Sequence, residues 1–253
     1  MTDLGAIAAR LDDAARLARP VPQLAEPLSL DEAYAVQARS LALRLGRGER
    51  LVGAKMGFTS RAKMQQMGVD DVIIGRLTDA MAIEEGGSAP AARFIHPRVE
   101  PELAFLLKRP LAGTVTPLEA LQAVEAVAPA LEIIDSRYRD FRFSLSDVVA
   151  DNTSAAGFVT GGWLRPDGDF SNLGLVLALN GVETAFGSTA AILGHPLRAL
   201  VAAARLAAAA GFALEPSEIV LAGAATEALP LPPGCRVSLS LATAAPIGFT
   251  LAP

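Results

Sequence analysis

The stretch FIHPRVEPELAFLLK, residues Phe94–Lys108, sets two carboxylates at the head of an apolar run. In an extended strand, side chains i and i+2 point to the same face. Glu100 and Glu102 therefore stand side by side if this stretch is a strand. About thirty residues on, PALEIIDSR places a third acid, Glu132, in another short apolar run. An unpaired carboxylate is expensive in a low-dielectric interior, so three converging acids suit a hard divalent cation. Oxygen-only ligation favours Mg²⁺ or Mn²⁺ over zinc. The competing reading is a solvated strand face, since E-x-E by itself is a weak signal.

The rest of the composition narrows the class. A chain of 253 residues that is 51% apolar and 19% charged can bury a substantial core, as one large domain or one domain with a helical appendage. Net charge is -5, and no Lys/Arg block interrupts the sequence, which argues against a nucleic-acid partner. A single cysteine, Cys235, excludes an intrachain disulfide framework and a cysteine-based zinc site. The mean hydropathy of +0.37 comes from dispersed alanine and leucine, and the apolar runs fall short of the roughly 20 residues that span a bilayer. The N-terminus lacks a basic start followed by an apolar core. A soluble, cytoplasmic protein is expected.

Residues 2–18 have the spacing of an amphipathic helix. Ser29 and Glu32 form a capping-box pattern opening a second helix to about Leu45. These two helices are expected to make an N-terminal lobe, residues 1–50, ahead of a β-rich domain over 51–253. LVGAKMGFT reads as a strand, SRAKMQQMGV as a short helix or lid, and residues 84–90 as a loop. Further strands are expected at 99–107, 130–135 and 157–163. Thr116-Pro117-Leu118-Glu119 opens a helix expected to reach about Val127. LVLALNGVETAFG is a hairpin around Asn180-Gly181. Pro196–Ala210 is a helix ended by Gly211, and three closing strands follow. Many short strands with few helices predict an α+β fold on a rolled, largely β core.

Other residues invite a functional reading beside a structural one. Lys55 lies inside an apolar strand and must find a partner or reach water. It either binds a substrate carboxylate, acts in proton transfer, or is an edge-strand lysine. His96 is a candidate for the rim of a site, whereas His195 reads as a helix-start residue. Asp79 and the cluster Asp151-Asn152-Thr153-Ser154 suit substrate hydrogen bonding, with Asn152 and Ser154 its candidates. They equally suit turns and caps. Arg137 reads as an internal partner for an acid. No Walker A or dinucleotide loop occurs, and Cys235 has no base near it in sequence.

Taken in order, GAKMGFTSRAKMQQMGV, GRLTDAM, IHPRVEPELAFLL, PALEIIDSRYRDFRF, VADNTSAAGFVTGG, LGHP and GAATEA resemble the hydratase/decarboxylase branch of the fumarylacetoacetate hydrolase superfamily. The resemblance runs from about residue 50 to the C-terminus. It implies a mixed β roll, Mg²⁺ or Mn²⁺ held by Glu100, Glu102 and Glu132, and an active-site lysine at Lys55. LTDAM, IHPRVEPE and IDSRYRDFRF are worded more like the decarboxylases than the hydratases. The implied activity is metal-dependent decarboxylation of 2-oxo-3-hexenedioate to 2-hydroxypenta-2,4-dienoate, in the meta-cleavage route of catechol breakdown. The alternatives are hydration of 2-hydroxypenta-2,4-dienoate and a non-catalytic, partner-stabilising subunit. The implied partners are a small 2-oxo dicarboxylic acid, further copies of the chain, and a related hydratase, with no membrane.

Overall fold

The computed structural model describes residues 2–60, 64–65 and 69–253. The chain opens with two helices, α1 (Leu4–Arg16) and α2 (Leu30–Gly46), followed by β1 (Leu51–Gly57), β2 (Ile73–Thr78), β3 (Ser88–Pro90) and β4 (Arg98–Leu107). Next come β5 (Val124–Ile134), β6 (Ala155–Thr160) and the hairpin of β7 (Gly174–Leu179) and β8 (Val182–Ser188). The last strands are β9 (Ile219–Leu221), β10 (Leu229–Pro230), β11 (Arg236–Leu241) and β12 (Ile247–Ala252). Short helices lie at Pro117–Gln122 and Leu145–Ala150, and a longer one at Pro196–Ala209. One sheet runs β2-β1-β9-β4-β5-β6 with β10 added on β4, and the other runs β3-β12-β11-β7-β8. The architecture is the expected α+β roll.

Strand register decides what each face carries. Glu100 lies opposite Glu132 across β4 and β5, and Glu102 opposite Ala130. Ala104 lies opposite Leu221 of β9, which in turn lies opposite Lys55 of β1. Directly paired residues share a face, so Lys55, Glu100, Glu102 and Glu132 all emerge on the same side of the sheet. Around them that side carries Ala104, Ala130, Phe158 and Leu221, packed with Leu77 and Met81. The intervening residues Leu103, Phe105, Leu131 and Ile133 point the other way. They pack into the main core with Leu177, Val237 and Leu239 of the second sheet and Ala203 and Ala207 of the long helix.

The N-terminal helices form for the reasons their caps suggest. Asp3 caps α1, and Ser29 and Glu32 satisfy each other's backbone donors at the head of α2. Leu11 and Val36 pack with Val149 of Leu145–Ala150, with Tyr138 and with Ile73 of β2. Gln37 reinforces this contact: its Nε2 donates to the carbonyls of Ile74 and Val149 at 3.0 and 2.9 Å.

Several boundaries differ from the sequence reading. The helix capped by Thr116 ends at Gln122, not Val127, because β5 already begins at Val124. Pro129 disfavours the helical conformation just before it, and Val124 and Val127 gain a ladder opposite Leu107 and Phe105. The strand expected at 130–135 therefore runs Val124–Ile134, and the one at 157–163 runs Ala155–Thr160. Residues 84–90 contain the short strand β3. The helix Leu145–Ala150 was not anticipated, although Ser144 and Asp147 form a capping box at its start. Most of the segment expected as a lid, residues 60–69, lies outside the described residues. The turn at Asn180-Gly181 has both residues at positive φ, 53° and 80°, as a type I′ hairpin requires. Residues Thr189–Ala209 have the length and apolarity of a membrane span, but Leu200, Ala203, Ala204 and Ala207 are fully buried in the core.

Replacing Gln37 by alanine should lower stability by about 1–3 kcal/mol, the cost of leaving buried carbonyls without their donor. A thermal melt that does not move would show that the lobe docks without this contact.

Candidate metal centre and active site

Glu100, Glu102 and Glu132 each bring one carboxylate oxygen within 4.8 Å of the other two. Strand register does this: two residues come from β4 by period-2 alternation, and the third is the direct partner of Glu100 on β5. Glu102 and Glu132 are 2% and 0% exposed, whereas Glu100 opens onto a cleft of about 510 Å³. Glu102 Oε1 and Glu132 Oε1 are buried with no hydrogen-bond partner. Three converging carboxylates, two of them with orphaned oxygens, are the donor set of a hard divalent cation, so these residues fit Mg²⁺ or Mn²⁺.

The electrostatics point the same way. Burial raises the Glu102 carboxyl well above its ordinary range, the Glu132 charge raises it further, and Lys55 offsets only part. Glu132 is also raised by burial, against the opposing charge of Lys55. Lys55 is fully buried, and its Nζ lies 3.1 Å from Glu132 Oε2. Burial alone would lower the Lys55 ammonium, but Glu132, Glu100 and Glu102 together outweigh it and raise the value. For Glu102 the ammonium of Lys55 thus offsets only part of what burial and the Glu132 charge impose.

A tight loop supports the lysine. Lys55 Nζ also donates to the Thr153 carbonyl at 3.1 Å. Asn152, Thr153 and Ser154 are three successive left-handed residues, with φ of 50°, 54° and 56°. Such backbone is costly outside glycine and persists only where the surroundings over-determine it. Here Asn152 clamps β2, accepting from Arg76 N at 2.7 Å and donating to Arg76 O at 2.9 Å. Arg137 pairs with Asp151 at the other end of the loop and donates to the Ala155 carbonyl. Burial pushes the Asp151 carboxyl up to about 6, against the pull of Arg137. Gly57 and Gly75 let the loop lie on the strands, since a Cβ there would meet Thr153 Cγ2 at 2.6 Å and the Asn152 carbonyl oxygen at 2.7 Å.

The remaining sequence candidates separate. Ser154 lines the cleft with Thr153, and both hydroxyls are buried without a partner. Asn152 holds backbone, not cleft. Asp79 is outside the cleft lining: it accepts from the Arg50 amide and Nε, both at 2.9 Å, and so ties the turn after β2 to the start of β1. His96 Nε2 sits 2.7 Å from the Ser136 carbonyl, and its ring lies 4.6 Å from that of Phe141, a cleft-wall residue. Two residues at the site were given no role by sequence reasoning. Arg98 lines the cleft one strand period before Glu100, a signal present in RVEPE. Gly223 opens the GAATEA stretch, and its amide donates to Glu102 Oε2 at 2.7 Å. Thr153 was named only within its polar cluster.

A family model, the fumarylacetoacetate (FAA) hydrolase C-terminal region, matches residues 59–250. The chain belongs to this family. It is 56% identical over 246 residues, 96% of each chain, to a 4-oxalocrotonate decarboxylase of Pseudomonas sp. A 2-hydroxyhexa-2,4-dienoate hydratase of Comamonas testosteroni is 36% identical, covering 91% of this chain and 90% of the relative. Among solved structures, the 4-oxalocrotonate decarboxylase from Pseudomonas putida G7, complexed with magnesium and adipate, superposes with a TM-score of 0.96 at 32% identity. That match covers 99% of this chain and 98% of the other.

Two outcomes follow for this centre. At Gly223, φ is 109° and an added Cβ would meet Thr59 Oγ1 at 2.0 Å. Gly223→Ala should therefore cost about 1–3 kcal/mol of stability and weaken Mg²⁺ binding, measured by melting and titration calorimetry; unchanged Mg²⁺ affinity would show that the amide does not position Glu102. The second outcome concerns pH. A carboxyl whose folded value is raised stabilises the fold below its unfolded value, and that contribution is lost as pH rises through the folded value. EDTA-treated protein should therefore melt lower as pH climbs from about 4 through the Asp151 value near 6, with the raised Glu102 carboxyl acting in the same direction. Mg²⁺ needs the ionised carboxylates, so the rise in melting temperature it confers should grow with pH. A Mg²⁺ shift that is flat across this range would contradict the assignment.

Proposed function

We propose that this chain is a Mg²⁺- or Mn²⁺-dependent decarboxylase that converts 2-oxo-3-hexenedioate (4-oxalocrotonate) to 2-hydroxypenta-2,4-dienoate and CO₂. The observation that carries the reading is the trio of converging carboxylates, two with orphaned oxygens, of which Glu100 lines a cleft together with Lys55. The 56% likeness to a curated decarboxylase over nearly the whole chain supports the same chemistry.

Glu100, Glu102 and Glu132 would hold the metal. When bound, it supplies Lewis-acid stabilisation of negative charge on a neighbouring oxygen. In the reaction the C5–C6 bond breaks and CO₂ leaves. The electron pair forms C4=C5, the C3=C4 bond shifts to C2=C3, and charge develops on the C2 oxygen. Protonation of that oxygen gives the 2-hydroxydienoate. Lys55, held by Glu132 and the Thr153 carbonyl, would donate to the C2 oxygen or the C1 carboxylate as charge builds. The Thr153 and Ser154 hydroxyls would orient the acid. Asn152 and His96 act through the loop and the wall they support, and Asp79 through its turn. No nucleophile is required, and Cys235, the free cysteine, is buried.

A buried free thiol suits a reducing compartment, and the cytoplasm is the proposed location. Self-association, or a complex with a related hydratase, belongs to the same proposal; Val182 and Phe186, each 67% exposed on β8, are the apolar surface such a contact would cover.

Glu102→Gln should lose at least about a hundredfold in Mg²⁺-dependent CO₂ release while keeping a native circular dichroism spectrum, and EDTA should silence the unaltered protein. Full activity in either case would sink the reading. Water addition to 2-hydroxypenta-2,4-dienoate without CO₂ release would make the protein a hydratase, and failure to bind Mg²⁺ would leave a non-catalytic subunit.

A further inference from the structure

We infer that the N-terminal lobe is a working part of the active site: its segment between α1 and α2, through Val21 and Gln23, positions Lys55 by way of the left-handed loop Asn152–Ser154. This rests on the decarboxylase reading for the reaction that the lysine serves, and on a chain of hydrogen bonds for the geometry. Val21 joins the backbone beside the cleft as a parallel bridge to Tyr138. Its amide donates to the Arg137 carbonyl and its carbonyl accepts from the Arg139 amide, both at 2.9 Å. From that anchored backbone the Arg137 side chain reaches both ends of the loop. It pairs with the Asp151 carboxylate, donates to the Asp151 carbonyl, and donates to the Ala155 carbonyl at 3.0 Å. Gln23 makes a second arm, its Nε2 donating to Asp147 Oδ2 at 2.7 Å. The same carboxylate oxygen accepts from Ser144 to cap the helix Leu145–Ala150, which runs straight into Asp151.

Both arms meet at Asp151, and the left-handed loop begins at the next residue. Three successive non-glycine residues at positive φ hold only while their neighbours over-determine them. Asn152 fixes one side of the loop on β2, and Arg137 with the helix ahead of Asp151 fixes the other. If that second side relaxes, the Thr153 carbonyl moves off Lys55 Nζ. Packing points the same way. Ile73 and Val148 line the cleft and belong to the buried cluster that holds Leu11 and Val36 of the lobe, and the cleft residues Phe58 and Phe143 pack against it. Val21 and Leu24 pack on that cluster as well. The lobe therefore backs one wall of the cleft, and the segment between its helices ties it to the loop. The carboxylate trio is held instead by the pairing of β4 with β5 and by the Gly223 amide, so the lysine and the metal ligands have separate supports.

The test uses the full chain loaded with Mg²⁺ and the variants Val21→Pro, Gln23→Leu and Arg47→Met. The first removes the amide that donates to Arg137, and the second removes the donor to Asp147. The third breaks the pair of Arg47 with Asp12, inside the lobe but away from the segment, and serves as the stability control. Val21→Pro and Gln23→Leu should each speed amide hydrogen exchange across residues 152–155 and lower kcat for CO₂ release, both by on the order of tenfold. Their Mg²⁺ affinity should stay within about twofold, because separately supported sites act independently. Arg47→Met should lower the melting temperature and leave loop exchange and kcat unchanged. The inference is overturned if loop exchange does not quicken, if it quickens with kcat unchanged, or if Arg47→Met has both effects as strongly. Should Val21→Pro fail to fold, Gln23→Leu decides by the same two readouts. Faster loop exchange in the variants of a protein that, unaltered, releases no CO₂ from 2-oxo-3-hexenedioate would defeat the decarboxylase reading and leave the tie between lobe and loop standing.

Discussion

Three carboxylates crowd one face of a sheet with one lysine among them, and most of the structure around the cleft answers to that repulsion. Two of the acids are buried, where ionisation is already disfavoured, and their mutual charge adds to the cost. Lys55 relieves part of it. The remainder favours taking up a divalent cation, because an ion bound between ionised carboxylates converts an unfavourable cluster into a satisfied coordination set. The small side chains beside the acids, Ala104 and Ala130, leave room for carboxylates that must turn toward a common point.

The supports of the cluster are largely backbone. The Gly223 amide fixes one oxygen of Glu102 and leaves the other free. The Thr153 carbonyl fixes Lys55 from a loop of three left-handed residues, and that loop is in turn tied to β2 by Asn152. A main-chain group cannot swing to a new rotamer, so these contacts hold the acids and the lysine in place before any ligand arrives. Phe141 shows the same arrangement on the wall: His96 packs on it and Arg98 stacks over it.

Much of the fold was legible. Capping boxes at Ser29 and Thr116 marked true helix starts, Asn180-Gly181 marked a true hairpin, and the alternation around Glu100 marked the central strand. These signals are local, so they survive without a tertiary context. What failed was also local in appearance: the helix from Pro117 stopped five residues short of Val127, because ladder pairing of β5 outweighed the continuing helical pattern. Asn152 and Ser154 read alike in sequence, yet one holds a strand and the other faces the cleft. Asp79 stood in a loop-like stretch, and only its proximity to Arg50 turned it into a turn clamp.

By itself the sequence determined that Glu100 and Glu102 share a face, that a third acid follows on another strand, and that no thiol or nucleotide loop competes with them. Period-2 alternation and residue chemistry suffice for that. Tertiary structure alone decided that Glu132 sits directly opposite Glu100, that Lys55 reaches the same point from β1 by way of β9, and that Gly223 and Thr153 supply the backbone contacts. Some of those relations join residues more than a hundred apart in the chain, as Glu102 and Gly223 do. Register is set by the packing of whole sheets, which no single stretch encodes.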